Sequence, residues 1–146
     1  MEQLFDEELV LLASPQWAER IGIDAVAAAD ADALAGAPLV AFDEQLPLLR
    51  RYFRVVFKRA VKGTASLVVD DLRAIRQAVA AGAGISVLPR YLAADALAQG
   101  ELIELHRPRR PPVNAIFLAR RPGPPDPRCS AITDTLRQAA PEWELR

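Results

Sequence analysis

The sequence predicts an α/β fold with a mostly parallel sheet and right-handed crossovers. Three observations predict it. Short runs of Val, Ile and Leu alternate with longer segments of helical periodicity, and Gly, Pro or Asp marks nearly every join. The length, 146 residues, suits one hydrophobic core.

The elements follow in order along the chain. Leu9–Ala13 is a short apolar run closed by Ser14-Pro15, a buried strand entering a loop. Ala25–Gly36 is rich in Ala and Asp and reads as a short helix or connector. Pro38–Phe42 is a second buried strand. After Asp43-Glu44 comes an amphipathic helix, with Leu48, Leu49, Tyr52, Val55, Val56 and Arg59 on one face and Arg50, Arg51, Arg54 and Lys58 on the other. Gly63 ends it, and Ala65–Val69 is the third strand. Asp70 and Asp71 cap a helix whose apolar stripe is Leu72, Ile75 and Val79; Gly82 and Gly84 stop it. Ile85–Leu88 is a strand ended by Pro89, and a helix over Arg90–Ala98 is broken by Gly100. Leu102–Leu105 is a short strand, Val113–Ala119 the last strand, and Ser130–Ala140 a terminal amphipathic helix. Periodicity leaves open whether the first and last strands join the central sheet or form a second one.

Composition bounds the function. Apolar residues make up 51% and charged residues 25%, ordinary for a soluble globular protein. Eighteen Lys+Arg against nineteen Asp+Glu give a net charge of −1, so no global attraction to nucleic acid or anionic membrane is expected. No apolar run reaches the roughly 18 residues of a membrane helix. The acidic start Glu2 to Glu8 has no signal-peptide character, and the single Cys129 suits a reducing, cytoplasmic setting.

Most candidate motifs reduce to structure. Gly82-Ala83-Gly84 stands between a helix and a strand, the reverse of a dinucleotide-binding turn, so a tight helix-to-strand connection accounts for it. The lone His106 has no nucleophile elbow to serve, and Cys129 reads as a bystander thiol. The arginine-rich helix face and the loops at Arg107–Arg110 and Arg120-Arg121 read as solvated surface. No helix-turn-helix is legible. Neither a cofactor nor a metal is expected, and no enzymatic constellation can be assembled.

One pattern has a rationale for ligand binding. Ligands of open α/β sheets sit beyond the carboxyl ends of strands, where helix N-termini offer free amide protons. Ser14, Phe42-Asp43 and Val69-Asp70 occupy such positions. Helix capping alone is the competing explanation, most of all for Asp70 and Asp71.

The string from Asp71 to Leu92, with Val79, Gly82, Gly84, Ile85, Leu88 and Pro89 at their spacing, resembles the effector-binding domain of LysR-type transcriptional regulators. Gly100–Leu105 and Asp6–Pro15 are similar to two further strands of that family in the same order. Pro38–Phe42, Arg51 and Phe57 fit the strand and helix between. The resemblance implies a type-2 periplasmic-binding-protein-like fold: one complete Rossmann-like subdomain plus part of a second, with the effector in the cleft. It implies residues 1–37 as part of subdomain I with the first crossover, 38–105 as subdomain II, and 106–146 as the second crossover, return strand and C-terminal helix. Crossovers are expected near Gly36 and near Arg109–Val113. Relative to the family, the winged helix-turn-helix and the opening strand-helix-strand of subdomain I are absent from the sequence.

The resemblance implies a sensing and oligomerisation role in transcription. A small, anionic metabolite would bind the cleft at Ser14, Phe42, Asp43, Val69 and Asp70, and DNA would be reached only through a helix-turn-helix outside this sequence. Partners would be the effector and further copies of the chain, not a membrane. The alternatives are an interaction or dimerisation module that binds no small molecule, and a relative of a solute-binding transport protein.

Overall fold

The structure is a computed structural model and describes residues 1–27, 30–124 and 126–144. Its strands are β1 (Glu2–Ala13), β2 (Leu39–Ala41), β3 (Ala65–Val68), β4 (Ser86–Pro89), β5 (Ile103–Glu104) and β6 (Val113–Leu118). Its helices are α1 (Pro15–Ile21), α2 (Ile23–Ala27), α3 (Pro47–Tyr52), α4 (Leu72–Ala80), α5 (Arg90–Ala98) and α6 (Pro127–Glu144). A single 3-10 turn covers Ala31–Leu34, and α3 continues as a wider π turn over Phe53–Phe57.

β1 is longer than its apolar run suggests. Its first seven residues carry Glu2, Asp6, Glu7 and Glu8, yet they pair antiparallel with β6 from Glu2↔Leu118 to Glu8↔Val113. Its last five residues, Leu9–Ala13, are buried on both faces and pair antiparallel with β4 and β5. The first and last strands therefore do both things left open by periodicity: β1 belongs to the central sheet and, together with β6, makes a second ribbon.

The central sheet runs β3-β2-β4-β1-β5. β2 and β3 are parallel, and β2 joins β4 through a parallel bridge, Leu39↔Ile85. The expectation of a mostly parallel sheet needs one correction. β1 lies antiparallel in its middle because the chain enters from the β6 side rather than by a helical crossover. A second correction concerns the Ser14-Pro15 loop, which is the start of α1. Ser14 Oγ accepts from Trp17 N at 3.3 Å, and Pro15 takes the first helical turn, where no amide proton is needed. Ala25–Gly36 holds the end of α2 and the 3-10 turn; residues 28 and 29 lie outside the described residues.

Alternation along β1 separates two cores. Leu9, Leu11 and Ala13 face α1–α3, packing with Leu39, Leu49, Tyr52, Phe53 and Phe57. Val10 and Leu12 face α4 and α5, packing with Val40, Ile75, Val79, Leu88 and Ala93. The result is a three-layer α/β/α sandwich. Residues 9–34 share one core with residues 39–57, so the packing has no seam at Pro38. β1 changes partners from β6 to β4 at its waist, between Glu8 and Leu9, where Leu9 N also donates to Pro112 O at 2.9 Å.

His106 follows β5 and stacks at a tilt on Phe57, with ring centroids 5.8 Å apart. Its Nδ1 is buried and has no hydrogen-bond partner among the described residues. Burial lowers the imidazole pKa, against a smaller opposing pull from Glu104. Since the unfolded chain then binds the proton more readily, stability should be full above about pH 6.5 and fall as pH drops towards the lower folded value. Thermal melts between pH 7.5 and 5 should show that slope, and a His106→Asn variant should lose it. An identical slope in the variant would assign the effect to other groups.

Candidate functional site

The carboxyl ends of β2, β3 and β4 meet at the end of the sheet where β1 enters. Ala41 pairs with Val68, so the residues that follow, Phe42 and Val69, stand side by side, and Val69 N donates to Ala41 O at 2.9 Å. Phe42 is 40% exposed although it is a large apolar residue. Asp43 Oδ1 accepts from Gln45 N at 2.6 Å, and Asp70 is exposed. Asp71, not Asp70, caps α4: its Oδ1 accepts from Arg73 N at 2.8 Å. The Arg73 guanidinium beside it lowers the Asp71 pKa. The N-termini of α3, α4 and α5 open at this same end. Beneath Phe42, a narrow recess lined by Val40, Pro47, Leu72 and Ser86 has room for about one water molecule.

Four of the five expected site residues, Phe42, Asp43, Val69 and Asp70, are thus brought to one surface. Ser14 is not. Because β1 runs against its neighbours, its carboxyl end lies beside the start of β4, at the opposite edge of the sheet. There Ser14 is 3% exposed and occupied as the α1 cap, and the neighbouring Trp17 Nε1 donates to Gly82 O at 2.9 Å.

The waist carries polar contacts that periodicity does not reveal. Glu7 is 8% exposed and accepts from the Tyr91 hydroxyl at 2.8 Å and from Asn114 Nδ2 at 3.1 Å, which ties β1, α5 and β6 together. Burial, followed by the bond to Glu7, pushes the Tyr91 hydroxyl up to about 12. Arg90 bridges Glu8 at 2.6 Å and Glu104 at 2.8 Å. Arg51 Nη2 donates to Val113 O and so links α3 to the start of β6. The matching signal in the sequence was partial. Arg51 belongs to the family resemblance, whereas Glu7 and Asn114 sit in segments read as an acidic start and a plain strand.

Among the described residues, no group of three His, Cys, Asp or Glu could hold a metal ion. No helix among them is long and apolar enough to cross a membrane.

Residues 1–141 match the LysR substrate binding domain family. The chain belongs to that family. The LysR-type regulator HTH-type transcriptional regulator AbaB of Streptomyces antibioticus is 45% identical over 141 residues, covering 96% of this chain and 47% of that protein. The chain therefore spans about half the length of that curated relative. ArgP from Mycobacterium tuberculosis superposes with a TM-score of 0.70 at 26% identity, over 95% of this chain and 46% of that one. Full-length LysG from Corynebacterium glutamicum, solved with bound effector Arg, gives 0.67 at 22% identity, over 96% and 46%. The LysR substrate-binding fold is periplasmic-binding-protein-like, and its family is one of transcriptional regulator domains rather than of enzymes. β1 pairs with β6 over Glu2–Glu8 and with β4 over Leu9–Leu12, so the Phe42–Asp70 end of the sheet is the end at which β1 enters.

Proposed function

We propose that this chain is the effector-sensing and oligomerisation part of a cytoplasmic LysR-type transcriptional regulator. It binds a small, carboxylate-bearing metabolite between its complete subdomain and the remainder of subdomain I. DNA is contacted through a helix-turn-helix elsewhere in the longer protein. Residues 9–112 form subdomain II, which modifies the boundaries implied by sequence resemblance, and β6 with α6 belongs to subdomain I.

One observation carries the reading. The strand that passes from one ladder to the other delivers the chain to the surface where Phe42, Asp43, Val69 and Asp70 meet three helix N-termini. Amide protons and the Arg51 guanidinium suit a carboxylate, Asp43 and Asp70 suit an amino group if the effector is an amino acid, and Phe42 limits its size. Binding closes the lobes about the β1 and β6 waist, and the effector acts through its different affinity for open and closed forms. The exposed Phe117 (49%) and Ile132 (62%) are surfaces that the rest of subdomain I or a second copy would cover.

The experiment is a calorimetric screen of the whole regulator with amino acids and small organic acids. An effector found in this way should bind about tenfold more weakly to Phe42→Ala and Asp43→Ala. Ser14→Ala should cost about 1 kcal/mol of stability through its lost cap and leave affinity unchanged. Affinity that falls with Ser14→Ala and survives both other substitutions would overturn the site.

A further inference from the structure

At the opposite end of the sheet from Phe42, the amino ends of β2 and β3 border a groove of about 530 Å³. Its floor and walls are Leu34, Ala37, Leu39, Phe53 and Val61. The groove exists because the segment lying over the strand ends is built from small side chains. Ala31, Ala35 and Ala37 place methyl groups where Leu or Val would fill the space. A volume in this range with a mainly apolar lining and a few charged groups fits a small organic ligand.

The rim is cationic. Arg59 and Lys62 edge the groove, and Arg59 is paired with Asp32 at 2.9 Å. A second recess continues from the groove past Arg59 and is lined by Arg50, Arg54 and Lys58. Arg50 stands on α3, Arg54 on its π extension and Lys58 at the cap that follows. None of them, nor Lys62, makes an ion pair among the described residues. Among the lining residues, the groove thus sets the single carboxylate of Asp32 against Arg59 and Lys62, and the adjoining recess adds Arg50, Arg54 and Lys58. A purely apolar occupant would leave that charge unanswered, and an inorganic anion would leave the trough empty.

We propose that this groove is a second ligand site, distinct from the cleft, that takes an amphipathic carboxylate: an apolar body of medium-chain or aryl size with its charge towards Lys62 and Arg59. α3 and its π extension connect the two ends of the sheet, since α3 carries Arg51 to the waist and the π turn carries Phe53 to the groove. The proposal stands whether or not the cleft binds an effector.

The probe is octanoate, with 1-octanol as its uncharged counterpart, titrated into the whole chain and followed by amide chemical shifts. Octanoate should saturate one site, with shifts clustered in residues 31–39 and 53–63. Ala35→Phe and Val61→Trp, which fill the groove from different walls, should each weaken it about tenfold. Ala35 is exposed, so Ala35→Phe keeps the test valid if Val61→Trp fails to fold. Arg54→Glu with Lys62→Glu should weaken octanoate about fivefold and leave 1-octanol unchanged. Phe42→Ala should leave both unchanged. Non-saturating shifts, shifts centred on residues 42–46 and 69–72, binding that survives Ala35→Phe, or equal affinity for octanoate and 1-octanol would each overturn the proposal.

Discussion

Gly84→Ala should unfold the domain or lower its stability by about 3 kcal/mol or more. Gly84 has φ +149°, and a Cβ built there would stand 2.1 Å from the carbonyl oxygen of Pro38. That contact is with backbone, so no side-chain rotation relieves it. Pro38 O accepts from Ile85 N at 2.8 Å, and Val40 N donates to Ile85 O at 2.9 Å; these two bonds join β2 to β4. Pushing the strands apart would also break the buried bond from Ser86 Oγ to Val40 O at 2.6 Å. Denaturant titration of Gly84→Ala beside Gly100→Ala separates the causes. Gly100 has φ +73° with open space around its Cβ position, so it reports backbone strain without the clash. Comparable losses in both variants would refute close strand approach as the reason for Gly84.

Tyr52→Ala should cost about 3–5 kcal/mol, while Tyr52→Phe should cost about 1 kcal/mol or less. The ring is fully buried beside Phe57, with centroids 5.9 Å apart, in the core that α3 makes with the sheet. Its hydroxyl donates to His106 O at 3.3 Å, a long bond. Removing the ring leaves a cavity between α3 and the segment leaving β5, and removing the hydroxyl leaves the packing intact. Equal losses in the two variants, read from denaturant midpoints, would mean the hydrogen bond rather than the ring holds α3 in place.

The fold class was legible because buried strands write themselves as apolar runs: Leu9–Ala13, Pro38–Phe42 and Ile85–Leu88 all fall on strands. The first half of β1 was not legible. Glu2, Asp6, Glu7 and Glu8 look like a solvated tail, and tertiary partners, Arg137 for Glu2, Tyr91 and Asn114 for Glu7 and Arg90 for Glu8, hold three of them in the strand. Strand direction was illegible for a different reason. Alternation tells which face a side chain takes and says nothing of which way its strand runs, so Ser14 was grouped with Phe42 although the sheet separates them. The helix over Pro15–Ile21 did leave a signal, Ser at the cap followed by Pro at the first turn, but its single turn or two showed little periodicity. Phe42, Asp43, Val69 and Asp70 could be grouped from sequence because β2 and β3 are parallel and, past a register shift after Leu39, end together at Ala41 and Val68.

Hydrogen exchange on the whole regulator, with and without its effector, tests the central claim most directly. Added protection is expected in residues 42–46 and 69–73 and at the waist around residues 7–9 and 112–114, with none at Ser14–Trp17 or Gly82–Gly84. Protection confined to that opposite edge, with the Phe42 end unchanged, would contradict it.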